Sequence, residues 1–400
     1  MSARHDVVVV GGGPAGATAA HELARRGLDV LLLDQAGRTK PCGGAIPPRL
    51  IEDFDIPDEL LVAKVATARM VSPQRQRVDI PVGKDYVGMV DRGVFDEWLR
   101  QRAATAGATR ERGRYERFSR DSDGGLLVHY GANGSRSGAS RSVKTRMVVG
   151  ADGALSLVAR QAIPAAYRGT RRVTAYHEII RSPSHDSDAF QARRADVYYD
   201  CGLSPDFYAW IFPHGPETSI GTGSLRAGFD VRGAVSALRR ETGLDACETI
   251  RREGAPIPLR PLDWWDNGRD VVVCGDAAGV VAPASGEGIF YAMTSGRLVA
   301  EAVAEAIRLG KPSRLARARR RFMWQHGLVF RVLDVMQDTW YGTRDRKERF
   351  VTLCRDVDIQ RLAFDGYTRK RLVFGRPLAH VRIFLKNLGH LSGLLRPVGA

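Results

Sequence analysis

The chain has 400 residues, 44% hydrophobic and 26% charged, globular values that exclude wholesale disorder and leave room for two or three domains. Lys and Arg total 60 against 45 acids, a net charge of +15, and residues 311–400 carry 20 of the basic and only 7 of the acidic side chains. The body is thus nearly neutral and the excess belongs to the tail. Cys42, Cys201, Cys247, Cys274 and Cys354 are scattered without metal-ligand spacing, so no metal site or disulfide framework is expected and a reducing compartment is the simpler reading. No apolar run approaches the ~20 residues that span a bilayer. The first residues do not match a signal peptide, and the expected location is the cytoplasm.

In chain order, the four valines at 7–10 predict a strand buried on both faces. Gly11, Gly13 and Gly16 follow in G-x-G-x-x-G spacing, and 15–26 reads as a helix with Pro14 in its first turn. A second apolar strand, 30–33, ends at Asp34. Glycines permit a tight turn and bring a pyrophosphate close to the helix-start amides of Ala15 and Gly16, while a carboxylate at the second strand's tip suits a ribose diol. This register of strand, turn, helix, strand and acid points to a dinucleotide.

Cys42-Gly43-Gly44 comes next. A solitary Cys is ordinarily a small buried hydrophobe, but flanking glycines suggest close backbone approach to a ligand. Arg92 precedes an amphipathic helix over 95–106, and 119–142 reads as polar hairpins. Strand-turn-helix logic then recurs twice, at 147–160 with Asp152-Gly153 and at 271–301 with Gly275-Asp276 and a helix opening at Gly288 and Ile289. Singly, a Gly-Asp turn is ordinarily just a turn. Three such sites suited to one extended dinucleotide are hard to obtain by accident. Between the last two lies Tyr208-Ala209-Trp210-Ile211-Phe212, which at period two places three aromatics on one face of a strand. Periodicity alone reads such a stripe as sheet core.

These motifs together resemble the FAD-dependent group with the p-hydroxybenzoate hydroxylase fold. The Cys-Gly-Gly element, the P-x-x-Y-x-W-x-F-P-x7-G signature from Pro205 to Gly221, and the run 282–288 resemble the geranylgeranyl reductases in particular. Residues 48–54, 90–92, 254–258, 354–356 and 379–384 are most similar to the bacterial branch acting late in bacteriochlorophyll synthesis. The resemblance implies an α/β fold: a discontinuous Rossmann-type FAD-binding domain over 1–70, 88–165 and 268–310, a β-sheet substrate domain over 71–87 and 166–267, and a basic helical C-terminal subdomain over 311–400. It implies FAD, NADPH as reductant, and saturation of a geranylgeranyl chain to phytyl on a tetrapyrrole or on free diphosphate. Candidate FAD residues are Gly11, Gly13, Ala15, Gly16, Asp34, Cys42, Gly43, Gly44, Arg92, Asp152, Gly275, Asp276, Gly288 and Ile289. Within the family, Cys42 is expected beside the isoalloxazine and Arg92 on the FAD phosphates.

An isolated trisubstituted alkene is a poor hydride acceptor, and protonating its less substituted carbon leaves cationic character on the tertiary one. A site for this needs a dry apolar channel, a proton donor and an electron-rich wall. Tyr208, Trp210 and Phe212 are candidate substrate residues of that kind, and Cys42, Tyr208 and Trp210 the candidate catalytic set. The competing readings are an aromatic monooxygenase of the same fold, a reductase of prenyl ether lipids, and a flavin-bearing scaffold without enzymatic activity. The tail mixes Arg314, Arg317, Arg319, Arg320, Arg321 and Arg331 with Trp324 and Leu328, and residues 372–395 continue the pattern. An anionic, photosynthetic membrane surface is the expected partner, held peripherally; no nucleic-acid motif accompanies the charge.

Overall fold

A computed structural model describes residues 4–35, 40–82, 86–132 and 140–370. The chain divides into two compact units. The first comprises Met1–Lys40, Arg92–Arg172 and Pro256–Leu328. Its sheet runs in the order Thr109–Arg120, Val30–Asp34, Arg4–Val10, Ser140–Gly150 and Val271–Val273, all parallel. Leu126–Ala132 pairs antiparallel with the two long strands. Val7, Val8 and Val9 are wholly buried, as expected for a strand covered on both faces. Helix Pro14–Ala24 lies against helix Ile289–Leu309 at small residues: a Cβ on Gly296 would stand 2.3 Å from the Ala15 carbonyl oxygen. Helix Arg92–Thr105 also packs against Pro14–Ala24.

The second unit comprises Pro41–Asp91, Val173–Ala255 and Val329–Ala400. Its larger sheet runs Thr249–Pro258, Arg172–Arg181, Glu217–Ser224, Ala209–His214, Arg194–Tyr198, Thr67–Val71, Arg77–Pro81. Ala45–Ile46, Val87–Val90 and Leu61–Val65 form a small antiparallel sheet. Helix Val231–Glu241 covers one face of the large sheet, where Ala209, Ile211, Ile220 and Ile180 meet Val235 and Leu238 in an apolar core that also holds Tyr176, Phe190 and Tyr198. Side chains alternate along a strand, so Trp210 and Phe212 occupy the opposite face.

Helices Arg317–Trp340, Arg344–Leu353 and Val357–Arg369 occupy the C-terminal region; residues 371–400, including the whole of the second basic stretch, lie outside the described residues. The division differs from the expected boundaries. Residues 41–70 group with the sheet-rich unit, because Leu61–Val65 pairs with Val87–Val90 and Thr67–Val71 pairs with Arg194–Tyr198. Among the described residues, 311–370 form no unit of their own. Those up to Leu328 belong to the first unit, where Arg317 and Arg321 form ion pairs with Glu305 and Glu301.

Candidate active site

In the first unit the glycine turn has the geometry of a nucleotide cradle. Gly11 has φ +103°, and a Cβ there would lie 2.4 Å from the Ala151 carbonyl oxygen, so no larger residue fits. Gly16 is packed still closer against the Gly11 carbonyl. Gly13 differs: nothing lies within 4 Å of its Cβ position. Gly13 is the N-cap of the helix that begins beside it and brings no side-chain hydrogen bond, a helix start whose first-turn amides, Ala15 and Gly16 among them, suit a phosphate. Asp34 accepts the Gly12 N–H at 2.9 Å. These features fit an FAD diphosphate and ribose.

The other expected cofactor residues divide. Asp276 sits in the short turn Gly275–Ala278, paired with Lys40, and Gly275 has φ +62°. Gly288 is the N-cap of helix Ile289–Leu309 and makes no side-chain hydrogen bond, while the Phe290 amide in the first turn donates to Glu287 Oε1 at 2.9 Å. Asp152 performs a local task. Its carboxylate accepts from Ser156 Oγ and from the amides of Leu157 at 2.7 Å and Val158 at 3.1 Å, capping helix Leu157–Ala162. Burial raises its pKa above the ordinary carboxylate value, against these hydrogen bonds. Arg92 is buried and forked onto Asp96 at 2.9 and 2.8 Å, which ties the guanidinium to its own helix. Arg100, two turns along, is the arginine that reaches the glycine turn: its Nη1 donates to the Gly12 carbonyl at 3.2 Å and lies 3.5 Å from Asp34. Sequence reasoning missed it. The available signal was its helical register, eight residues beyond Arg92.

In the second unit two signature elements meet. Gly44 has φ +65°, and its amide donates to Cys42 Sγ at 3.4 Å while its carbonyl accepts from Val90 N–H at 2.9 Å. A Cβ on Gly43 would stand 3.2 Å from the Phe212 ring, and one on Gly44 would stand 2.5 Å from His214 Nε2. The Cys-Gly-Gly turn therefore rests on the far end of the aromatic strand. His214, unremarked in the sequence, is central here. Burial pushes its pKa down to about 4, although the carbonyls of Phe212 and Gly43 favour the charged ring, so it is neutral at pH 7.

The aromatics form a continuous row. Tyr208 and Trp210 meet edge-on with centroids 6.0 Å apart, and Trp210 and Phe212 stack at 6.1 Å. Gly221 explains the end of the signature: it lies opposite Trp210 across the strand pair, and a Cβ there would stand 2.3 Å from the indole. Beyond Gly221, in register on the next strand, is His177. At the Tyr208 end the ring stacks on Phe207 at 4.2 Å, and the loop before it is clamped by Lys347. This lysine is wholly buried, donating to the Ser204 and Phe207 carbonyls, and burial lowers its pKa. Tyr199, Tyr341 and Phe350 complete an aromatic cap with centroids 5.0–5.6 Å apart.

Residues 4–325 match the FAD binding domain family. A geranylgeranyl diphosphate reductase of Rhodobacter capsulatus is 54% identical over 98% of this chain and 99% of its own length. The chloroplastic geranylgeranyl diphosphate reductase of rice is 37% identical over 96% of this chain and 86% of its own. Among solved structures, a geranylgeranyl bacteriochlorophyll reductase-like protein of Thermoplasma acidophilum superposes with TM-score 0.80 at 21% identity, covering 96% of this chain and 99% of that one, a likeness of fold. The fold is that of the p-hydroxybenzoate hydroxylase-like flavoenzymes. With its nucleotide cradle and its aromatic signature strand, the chain belongs to the FAD-binding geranylgeranyl reductase family, oxidoreductases that act on CH–CH bonds.

Proposed function

We propose that this reductase takes electrons from NADPH through FAD and saturates the geranylgeranyl chain to phytyl, with a geranylgeranylated bacteriochlorophyll-type tetrapyrrole as substrate. The observation that carries the reading is the separation of the two sheet faces. A mixed apolar core, in which Tyr176, Phe190 and Tyr198 join the aliphatic residues, meets helix Val231–Glu241 on one, and the Tyr208–Trp210–Phe212 row meets the Cys42-Gly43-Gly44 turn on the other. Bound FAD supplies hydride equivalents; the residues do the rest. Gly11, Gly13, Ala15, Gly16 and Asp34, with the turns at Asp152, Gly275–Asp276 and Gly288–Ile289, would hold the cofactor, aided by Arg100 and, on the family's precedent, Arg92. Cys42, Gly43 and Gly44 would bring backbone and thiol to the flavin ring. Tyr208, Trp210 and Phe212 would pack on the prenyl chain, exclude water, and stabilise a carbon acquiring positive charge through their π faces. Neutral His214 adds no competing cation to that wall.

The name of the Rhodobacter capsulatus relative supports free geranylgeranyl diphosphate as a second candidate substrate. Anaerobic turnover of the holoenzyme with NADPH, offered the pigment ester and the free diphosphate separately, decides by mass spectrometry. Products gaining two hydrogens per step on the pigment are expected. Gain on the diphosphate alone overturns the tetrapyrrole assignment, and an oxygen requirement overturns the reductase reading. Dithionite turnover without NADPH turnover removes NADPH.

Helix Arg317–Trp340 supports peripheral membrane association. Among the described residues no helix is long and apolar enough to cross a membrane. This one nevertheless exposes Trp324 (87%), Leu328 (55%), Val332 and Val335 along one face beside Arg320 and Arg331. Trp324→Ser with Leu328→Ser should abolish flotation with anionic vesicles; unchanged flotation refutes the assignment.

A further inference from the structure

Behind the aromatic row lies a polar chain that neither the signature nor the family assignment accounts for. Trp210 Nε1 donates to Ser219 Oγ at 3.1 Å. His177 Nδ1 lies 2.9 Å from the same oxygen, and His177 Nε2 lies 3.1 Å from Glu253 Oε2. Ser219 and His177 are buried at 0% and 4% exposure, while Glu253 is one-fifth exposed. The chain crosses neighbouring strands: Trp210, Gly221 and His177 are in register, and the missing side chain at Gly221 lets indole and imidazole approach to 6.4 Å.

The donor order follows from chemistry. The hydrogen bond from His177 holds the Glu253 carboxyl below its ordinary pKa, so the carboxylate accepts and His177 Nε2 donates. In the neutral ring Nδ1 then accepts from the Ser219 hydroxyl, whose oxygen accepts the indole N–H. All donors run one way, from indole to hydroxyl to imidazole to carboxylate, and each bond polarises the next. In a charged ring both nitrogens donate, and the indole still donates to Ser219. A buried polar chain is ordinarily explained by satisfaction of its own members. Here its inner end is the central ring of the apolar row, where a Leu or Phe in place of His177 would leave Ser219 without this partner.

We infer that His177, anchored by Glu253, is a positioning residue that acts through Ser219 on Trp210. It fixes the orientation of the indole in the aromatic row and, through the neutral ring, draws its N–H proton toward an anion, enriching the ring face offered to a cationic carbon. The catalytic part of this inference rests on the prenyl-reduction reading; the hydrogen-bond chain does not.

The test uses the FAD-loaded full chain. Ultraviolet resonance Raman reports the indole N–H hydrogen bond, with Trp210→Phe identifying the band that belongs to Trp210. In Ser219→Ala the band should move to its unbonded position and kcat on a geranylgeranyl substrate should fall about tenfold, with KM within about threefold and flavin content unchanged. Ser219→Thr should restore both. Glu253→Gln, altered at the exposed end where folding is least at risk, should shift the band part-way and lower kcat about threefold. An unmoved band in both Ser219→Ala and Glu253→Gln overturns the chain. A shifted band with unchanged kcat overturns the catalytic role. A wild-type protein that reduces no geranylgeranyl substrate sinks the parent reading instead, and the band alone then decides the chain.

Discussion

Replacing Gly221 by alanine tests the packing logic of the signature most directly. The added Cβ would stand 2.3 Å from indole Cζ2 and 2.6 Å from His177 Cβ, where ordinary contacts begin near 3.4 Å. One of the two must retreat by about 1 Å, and the indole is hemmed in by Phe212, Tyr208 and the Ser219 hydroxyl. Overpacking of a filled interior costs about 1–3 kcal/mol. Stretching the indole hydrogen bond adds about 1 kcal/mol. The sum, about 2–4 kcal/mol, corresponds to a fall in Tm of about 5–10 °C for a unit of this size. Thermal unfolding of the holoenzyme followed by circular dichroism measures it, and Trp210 emission reports the ring's displacement. A Gly221→Ala protein within 1 °C of wild type, with unchanged emission, would refute the reasoning.

Three further outcomes follow from the geometry. Gly13→Ala should fold with Tm within about 1 °C of wild type yet bind FAD about tenfold or more weakly, because its methyl enters open space above the helix amides; Gly11→Ala, strained at φ +103°, should lose stability as well. Flavin titration of the apoprotein distinguishes the two, and equal affinity in Gly13→Ala would reject the cradle. Asp152→Ala should cost about 1–2 kcal/mol in urea unfolding through loss of the helix cap, and Asp152→Asn less; an unchanged midpoint with weakened flavin binding would assign the carboxylate to the ligand instead. His214 titrates near 6.5 when unfolded and is pushed down to about 4 when folded, so the unfolded chain binds the extra proton between those values. Stability should therefore fall as pH drops through that window, by about 3 kcal/mol in the limit, and His214→Asn should flatten the slope; parallel slopes in the two proteins would count against a buried neutral ring.

Local physics made part of this molecule legible in advance. Strand Arg4–Val10, the turn Gly11–Gly16 and strand Val30–Asp34 follow from β-branched runs, backbone freedom and a helix start, all properties of residues close in the chain. Helix Ile289–Leu309 follows in the same way, and the aromatic alternation through Phe212 needed only the two-residue period of a strand. The charged and polar side chains were less legible, since their partners are chosen across long separations. Arg92 turned to Asp96, Asp152 to its own helix, and several tail arginines to Glu301, Glu305 and the Leu262 carbonyl, because a partly buried charge pairs with whatever the fold brings near.

Strand order was decided only in three dimensions. Residues 41–70 carry no local sign that they pair with 87–90 and 194–198, and that pairing moved the unit boundary. It was also register between strands, invisible in any single one, that set Gly221 between Trp210 and His177 and laid Gly44 on His214. Sequence determined that a dinucleotide cradle and an aromatic face exist. Tertiary structure decided what stands behind that face, because hydrogen-bond partners, unlike periodicity, are a property of contacts between distant segments.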